Sequence, residues 1–466
     1  MVNGCIEWRC NCSFQIRKFL CCFRRLAWYN NFSLEEVPAS NTHLYQTILM
    51  KQFWLTLALF VMSTLGAYAD NWPQWRGLNN DGISKEKKLP AEWSPMQNVL
   101  WKLPLPGMGS STPCIWGDKI FLTSEDNGDM VAICLSTAGK EVWKKKLGVS
   151  NTKARGDEGN GASASPSTDG KHVWFFVGSG ELACLDFEGK EVWKFNTQER
   201  YGKFDIQFGM HSTPVLHDGK LYLQLLHTKG QWVVCVDAAT GKDEWKIQRK
   251  SDGRAECEHS YASAMLWTNG NASYLVTHGN DYAIAHSLKD GSEIWRLGGI
   301  NPKDKYNPTL RLVASPLCTP DLIVIPSAKG GPVIAVKPTA KGTVTGSEFE
   351  QWRMPKGTPD VPTPLIYDGL VYLASEQGNL TCLDALTGKP VYESKRLHAA
   401  RHRASPVYAD GKIYVTARDG VINVVKAGKD FELLATNKML EDMTSSPAIA
   451  DGKIYLRTHK NFYAIG

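Results

Sequence analysis

A chain of 466 residues is long enough for several domains or for one large repeat array. Its net charge of +6 falls to +3 once the first 69 residues are set aside, where 47 Lys/Arg face 44 Asp/Glu. That balance gives no basic surface of the kind nucleic-acid binding needs, so a nucleic-acid partner is excluded.

Residues 1–49 carry Cys5, Cys10, Cys12, Cys21 and Cys22, several basic residues and no feature of the later sequence, and read as an unstructured or mis-called upstream segment. Residues 50–69 have the form of a signal peptide: Lys51, an apolar run over 53–65, then Ala67-Tyr68-Ala69 as the cleavage site. The run is too short to span a bilayer, and no cysteine follows the cleavage site. The expectation is an exported, periplasmic or extracellular protein with no membrane span after cleavage, acting as a monomer. Residues 70–97, opening Asp-Asn-Trp-Pro-Gln-Trp-Arg-Gly, are rich in turn formers and read as a lead-in.

From residue 98 onward the chain repeats. Residues 235–245 read Cys-Val-Asp-Ala-Ala-Thr-Gly-Lys-Asp-Glu-Trp, with close copies at 184–193, 134–143 and 382–392 and weaker ones ending at Trp295 and Trp352. Ahead of each copy stands a Ser/Thr-Pro pair, an apolar run and a Gly turn. The prolines are Pro113, Pro166, Pro214, Pro316, Pro364, Pro406 and Pro447, with Ala264 in place of one, at steps of 41 to 53 residues. That period is the length of a four-stranded blade, so 98–466 reads as an all-β, eight-bladed β-propeller. The last blade stops after three strands; the segment around Trp101 supplies the fourth and closes the ring. Cys134, Cys184, Cys235 and Cys382 share one repeat position, too far apart for disulfides, and read as small buried apolar residues. Cys114, Cys257 and Cys318 have no such assignment. Residues 125–129, Glu-Asp-Asn-Gly-Asp, read as a hairpin turn and not a calcium loop.

These repeats resemble those of the pyrroloquinoline-quinone (PQQ)-binding-like β-propellers, the superfamily of quinoprotein alcohol dehydrogenases and of the outer-membrane assembly lipoprotein. The resemblance rests on the tryptophan-docking pattern, best kept at Asp237, Thr240, Gly241, Lys242 and Trp245. It implies a structural girdle of Trp101, Trp143, Trp193, Trp245, Trp295, Trp352 and Tyr392, each packed on the next blade. Blade 7, with Phe431 and Leu433 near that position, is then expected to be the loosest joint.

In such a blade the turns between strands 1 and 2 and between strands 3 and 4 share one face, and here they are tight Gly turns. The opposite face carries the insertions: 23 residues separate Trp143 from Pro166 but only 12 separate Trp101 from Pro113. Insertions confined to one face mark a binding side. Residues just before each Ser/Thr-Pro pair are expected to rim the channel, which nominates Asn160, His211, Glu258, His259, Arg311, Arg401, His402, Arg403 and Asp442 as ligand-binding. Imidazole and guanidinium there suit a small anionic or carbohydrate ligand, or a protein partner.

Catalysis finds less support. The resemblance implies that a dehydrogenase would place an adjacent cysteine pair beside the quinone and hold calcium with carboxylates. The chain's adjacent pair is Cys21-Cys22, ahead of the signal peptide, and no haem-attachment, nucleophile-elbow or zinc-protease motif occurs. The reading is a non-catalytic binding scaffold with no catalytic residue, metal or cofactor. A PQQ-dependent dehydrogenase with calcium is the alternative.

Overall fold

The computed structural model describes residues 71–150 and 159–466, so the expected upstream segment at 1–49 and the expected signal peptide at 50–69 lie outside the described residues. Eight antiparallel sheets follow one another in chain order: 114–149, 167–196, 215–248, 265–297, 317–354, 365–396, 407–438 and 448–465. We number them blades 1 to 8. The last contains three strands of its own and takes its outermost strand from Val99–Pro104, which runs antiparallel to Asn461–Ile465. Trp101 there pairs with Ala464, as Trp143 pairs with Cys134 and Trp245 with Cys235. The eight-bladed ring and its mode of closure match the sequence reading.

Burial explains the strand patterns. The two middle strands of a blade are covered on both faces by neighbouring blades, so Leu221 to Leu226 are buried without interruption, whereas the outer strand Asp243–Gln248 alternates. The Asp-Gly turns at 218–219, 410–411 and 451–452 have positive φ at both residues, the backbone of a two-residue hairpin turn. Asn127-Gly128 adopts the same two-residue hairpin form.

The girdle explains the glycine of the repeat. Gly241 has φ 69°, and a Cβ there would stand 2.7 Å from the Trp193 ring of the preceding blade. Trp193 donates its indole N–H to the Ala238 carbonyl, Trp143 to Phe187 and Trp352 to Ala385, each in the next blade. Trp295 differs, because the connection it faces, between strands 3 and 4 of blade 5, is an insertion over 337–349 and not a tight turn. Gly342–Thr343 from that insertion pairs in parallel with the strand of Trp295, making blade 4 five-stranded. All seven described cysteines are free and buried; Cys134, Cys184, Cys235 and Cys382 sit opposite a girdle aromatic.

Blade 7 corrects the sequence reading. Its docking position is Ala435, paired with Val424, not Phe431 or Leu433; Phe431 instead packs edge-on against Tyr392. Nor is the joint left unfilled. Girdle tryptophans lie about one ring from a strand-2 aromatic of their own blade: Trp101 to Tyr455 at 6.1 Å, Trp143 to Phe121 at 6.0 Å, Trp245 to Tyr222 at 6.0 Å. In blade 7 the equivalent Tyr414 has Trp93 at 6.1 Å. Trp93 belongs to the lead-in, is 3% exposed, and is held by its backbone N–H on Asn437 Oδ1 at 2.9 Å. The lead-in therefore supplies the missing docking ring.

The rest of the lead-in crosses the tight-turn face. Trp72 bridges to Ile115 of blade 1 and Ile83 to Tyr408 of blade 7. Between them Arg76 is 1% exposed and donates to the carbonyls of Pro406 (2.6 Å) and Pro364 (3.0 Å). Burial lowers its pKa to about 10, with Asp81 opposing the shift.

Candidate functional site: a blind funnel on the propeller axis

A cavity of about 180 Å³ lies on the axis. Its wall is built by alternation. Just before each inner strand the chain is extended, so residues two apart face the same way. The Ser/Thr of every Ser/Thr-Pro pair, with Ser263 in the blade that has Ala264, forms one tier: Thr112, Ser165, Thr213, Ser263, Ser315, Thr363, Ser405 and Ser446. The residues two positions earlier form a second tier: Ser110, Ser163, His211, Tyr261, Val313, Val361, Arg403 and Thr444. The residue between them is small and buried between blades, as Ser111, Ala164, Ala262 and Ala314 are.

The hydroxyl tier is stitched into a ring. Thr112 N–H donates to Ser165 Oγ at 3.0 Å, Ser165 to Thr213 at 3.1 Å, Thr213 to Ser263 at 2.9 Å and Ser263 to Ser315 at 2.9 Å. Ser315 then donates to Thr363 at 3.1 Å, Thr363 to Ser405 at 3.0 Å and Ser405 to Ser446 at 3.0 Å. Seven of the eight joints thus carry one amide-to-hydroxyl bond, always in the same sense. This is the physical reason for the Ser/Thr in the repeat: its oxygen accepts a buried amide N–H of the neighbouring blade that would otherwise lack a partner.

Trp75, next to Arg76, completes the wall at the tight-turn end, so the lead-in floors the channel. The loop-rich end holds Met108, Asn160, Arg418 and His459. Among the described residues the wall contains two arginines and two histidines but no Asp, Glu or Cys. Arg403 is paired with Glu376 behind the wall at 3.1 Å. Burial lowers the His211 pKa to about 4, against the opposing Phe208 carbonyl. Burial also lowers that of His459, with Asp442 opposing. Arg457 stands directly behind Gly109, where any Cβ would strike its guanidinium; it is 1% exposed and donates to Ser111 Oγ at 2.5 Å. Burial alone lowers its pKa to about 9.

Of the nine nominated ligand residues, Asn160, His211 and Arg403 reach the cavity and the other six do not. Asn160 is largely committed, donating to Ser110 Oγ at 2.7 Å and accepting from Ala162 N–H at 3.0 Å. Arg311 pairs with Glu256 at 3.1 Å over the Phe208 ring. His259 bonds Thr228 Oγ1 at 2.8 Å, and the Glu258 carbonyl accepts from Gln231. His402 is fully buried with Nδ1 on the Ala400 carbonyl at 3.0 Å. Arg401 and Asp442 are exposed, and their carbonyls accept from Arg418 N–H and His459 N–H. The reason is that the extended stretch is short: His259, Arg311, Arg401 and Asp442 stand four positions before the tier residue, where the alternation no longer holds because the loops have turned outward. Arg418 and His459 were missed because they sit in turns between strands 2 and 3. Those turns open on the loop-rich face too, which was the signal available.

The tight-turn face is not featureless either: a cavity of about 460 Å³ separates lead-in residues Gln74 and 78–81 from blades 3 to 5. The donor set that the described residues place on the axis does not fit a calcium-held quinone, because calcium takes six to eight oxygen ligands with carboxylates prominent, and none of the described residues of the wall offers one. No group of three or more His, Cys, Asp or Glu suited to a metal occurs among the described residues, and no helix among them is long and apolar enough to cross a membrane.

Comparison with known proteins adds the following. The family model described as outer membrane protein assembly factor BamB matches residues 93–296, 178–348 and 329–460. A polyvinylalcohol dehydrogenase of a Pseudomonas species is 25% identical over 277 residues, 51% of this chain and 42% of that protein. The assembly factor BamB of Burkholderia pseudomallei is 24% identical over 197 residues, 42% of this chain and 44% of its own length. The chain thus spans less than half the length of either relative. Among solved structures, a quinohemoprotein alcohol dehydrogenase from Comamonas testosteroni superposes with TM-score 0.65 at 13% identity, covering 84% of this chain and 80% of that one. BamB from Moraxella catarrhalis gives TM-score 0.57 at 12% identity, covering 78% and 96%. At these identities the structural likeness speaks to the fold.

Proposed function

Because this chain belongs to the family described as outer membrane protein assembly factor BamB, we propose that it is an exported, non-catalytic propeller that binds through its loop-rich face. The observation that carries the reading is the blind funnel. It is floored by Trp75 and opens among the loops, and among the described residues its wall lacks both the carboxylates and the thiols that quinone chemistry would use. A protein partner on the surrounding loops suits the apolar side chains left there, Leu440 at 78% exposure and Met108 at 38%. Export rests on the signal-like segment at 50–69.

The likeness to polyvinylalcohol dehydrogenase favours a second reading, a PQQ-dependent oxidoreductase. A thermal melt of the purified protein with PQQ and calcium, together and singly, separates the two. A ligand at a hundred times its Kd stabilises by about 2.7 kcal/mol. No shift is expected; a shift requiring both additives would sink the non-catalytic reading. For the partner, photo-crosslinkers at Leu440 and at Leu386, which is 71% exposed on the tight-turn face, distinguish the sides. Adducts at Leu440 alone are expected, and adducts at Leu386 alone would assign the wrong face.

A further inference from the structure

We infer that the cavity under the lead-in, on the tight-turn face, is a binding site for a small uncharged amide, a molecule the size of a capped or cyclic dipeptide with an aliphatic side chain. It is a second site, separate from the axis and from the loop-rich face.

The first ground is how the cavity is built. The lead-in is fastened to blade 1 at Trp72 and to blades 6 and 7 through Arg76 and Ile83. It thus crosses the ring on one side and leaves about 460 Å³ between its loop and blades 3 to 5, a volume within the range of small-molecule pockets. The loop is closed at its neck: Gly82 N–H donates to the Arg76 carbonyl at 2.8 Å, and Arg76 Nη2 to the Asp81 carbonyl at 3.1 Å. Residues 78–81 are therefore held as one wall, and the inner strands of blades 3 to 5 supply the other.

The second ground is an unmatched polar edge. Asn80 lines the cavity and is 7% exposed, yet its carboxamide makes no hydrogen bond among the described residues. Gln74, on the same wall, has a carboxamide without a partner among them too. A carboxamide sets N–H donors beside a carbonyl acceptor, and the group that satisfies both at once is another amide. Leaving such a group buried and unmatched is costly. Across from it Leu216, Leu266, Cys318 and Pro320 give an aliphatic surface.

Charge and shape exclude the rivals. Among the described residues no Lys or Arg lines the cavity. Its carboxylate, Asp81, accepts from Ile83 N–H at 2.9 Å and from Asn79, beside the buried Arg76 charge. His217 faces Asp218 at 3.3 Å. An ion therefore finds no unmatched charge, and a sugar finds no aromatic ring among the described lining residues to stack on.

Isothermal titration of the purified protein with N-acetyl-leucinamide and with the cyclic dipeptide of leucine and glycine tests this, against maltose and free leucine. Saturable one-to-one binding of at least one amide is expected, with maltose and leucine at least about tenfold weaker. Thr268→Trp, which fills the cavity from an exposed strand position, should abolish it. Asn80→Gly removes the carboxamide while suiting the φ of 58°, and should weaken binding about tenfold or more. Leu386→Ala, elsewhere on the same face, leaves it unchanged; a melt of each variant confirms folding. Absence of saturable amide binding by the folded protein overturns the inference. So does binding undiminished in both cavity variants, or a preference for maltose or free leucine. Neither result touches the quinone melt or the crosslinking contrast.

Discussion

Replacing Trp93 by alanine removes a ring that the repeat itself does not encode. A buried tryptophan covers about 150–250 Å², worth about 4–6 kcal/mol at about 25 cal/mol per Å²; large aromatic-to-alanine changes in cores cost about 3–5 kcal/mol. Trp93 is 3% exposed and its backbone N–H bond to Asn437 survives the substitution, so a loss of about 4 kcal/mol is expected. Guanidinium unfolding followed by circular dichroism measures it. A sharper form of the test uses Ala435, the docking position that Trp93 serves. Ala435→Trp alone should destabilise by about 1–3 kcal/mol through overpacking. In the Trp93→Ala background the same change should be neutral or stabilising, giving a coupling energy of about 1 kcal/mol or more. A Trp93→Ala loss below about 1 kcal/mol, or strict additivity of the two changes, would refute the idea that the lead-in completes the girdle.

Two further outcomes follow from the geometry. Gly241→Ala meets both a φ of 69° and the Trp193 ring, whereas Gly219→Ala meets a φ of 70° with nothing within 4 Å; the first should cost about 2 kcal/mol more than the second, and equal losses in urea titrations would remove the docking contact from the explanation. Burial lowers the pKa of His227 to about 4, of His278 to about 3 and of His286 to about 4. Each is neutral when folded and takes up a proton only on unfolding, so stability is complete above pH of about 6.5 and declines as pH falls toward 4, by up to ~4 kcal/mol per unit for the three together. Denaturation midpoints that stay flat from pH 7 to 5 would contradict this.

The ring was legible because a propeller writes its architecture once per blade. A turn glycine, an aromatic partner and a Ser/Thr-Pro pair recur, and each has one physical job in the blade. Even the closure by Trp101 followed from counting strands. Blade 7 was misread because its docking ring comes from residue 93, more than 300 positions from Ala435 in the chain, and no periodic signal links the two. The funnel was half legible. Period-two alternation identifies His211 and Arg403, but it holds only along the short extended stretch, and His259, Arg311, Arg401 and Asp442 lie beyond it, where the loops have turned outward. What those side chains do instead, as in the Arg311–Glu256 pair, depends on how each inserted loop folds back, which local sequence does not encode. Trp75 was invisible for a different reason: nothing in a lead-in announces that it will pass under the axis.

The pairing of Val99–Pro104 with Asn461–Ile465 also sets an order of events. Trp101 and Ala464 are 363 residues apart in sequence yet adjacent in blade 8. Bringing such distant points together costs about 5 kcal/mol in chain entropy from length alone, while each hairpin inside a blade closes over a few residues. Blades 1 to 7 are therefore positioned to assemble as a growing arc, each new blade docking on the last, with the seam closing only when the arc has curved far enough to present both edges. Until then both ends expose strand edges open to other chains, so the slowest step in making this ring is also the interval in which it is most exposed to aggregation.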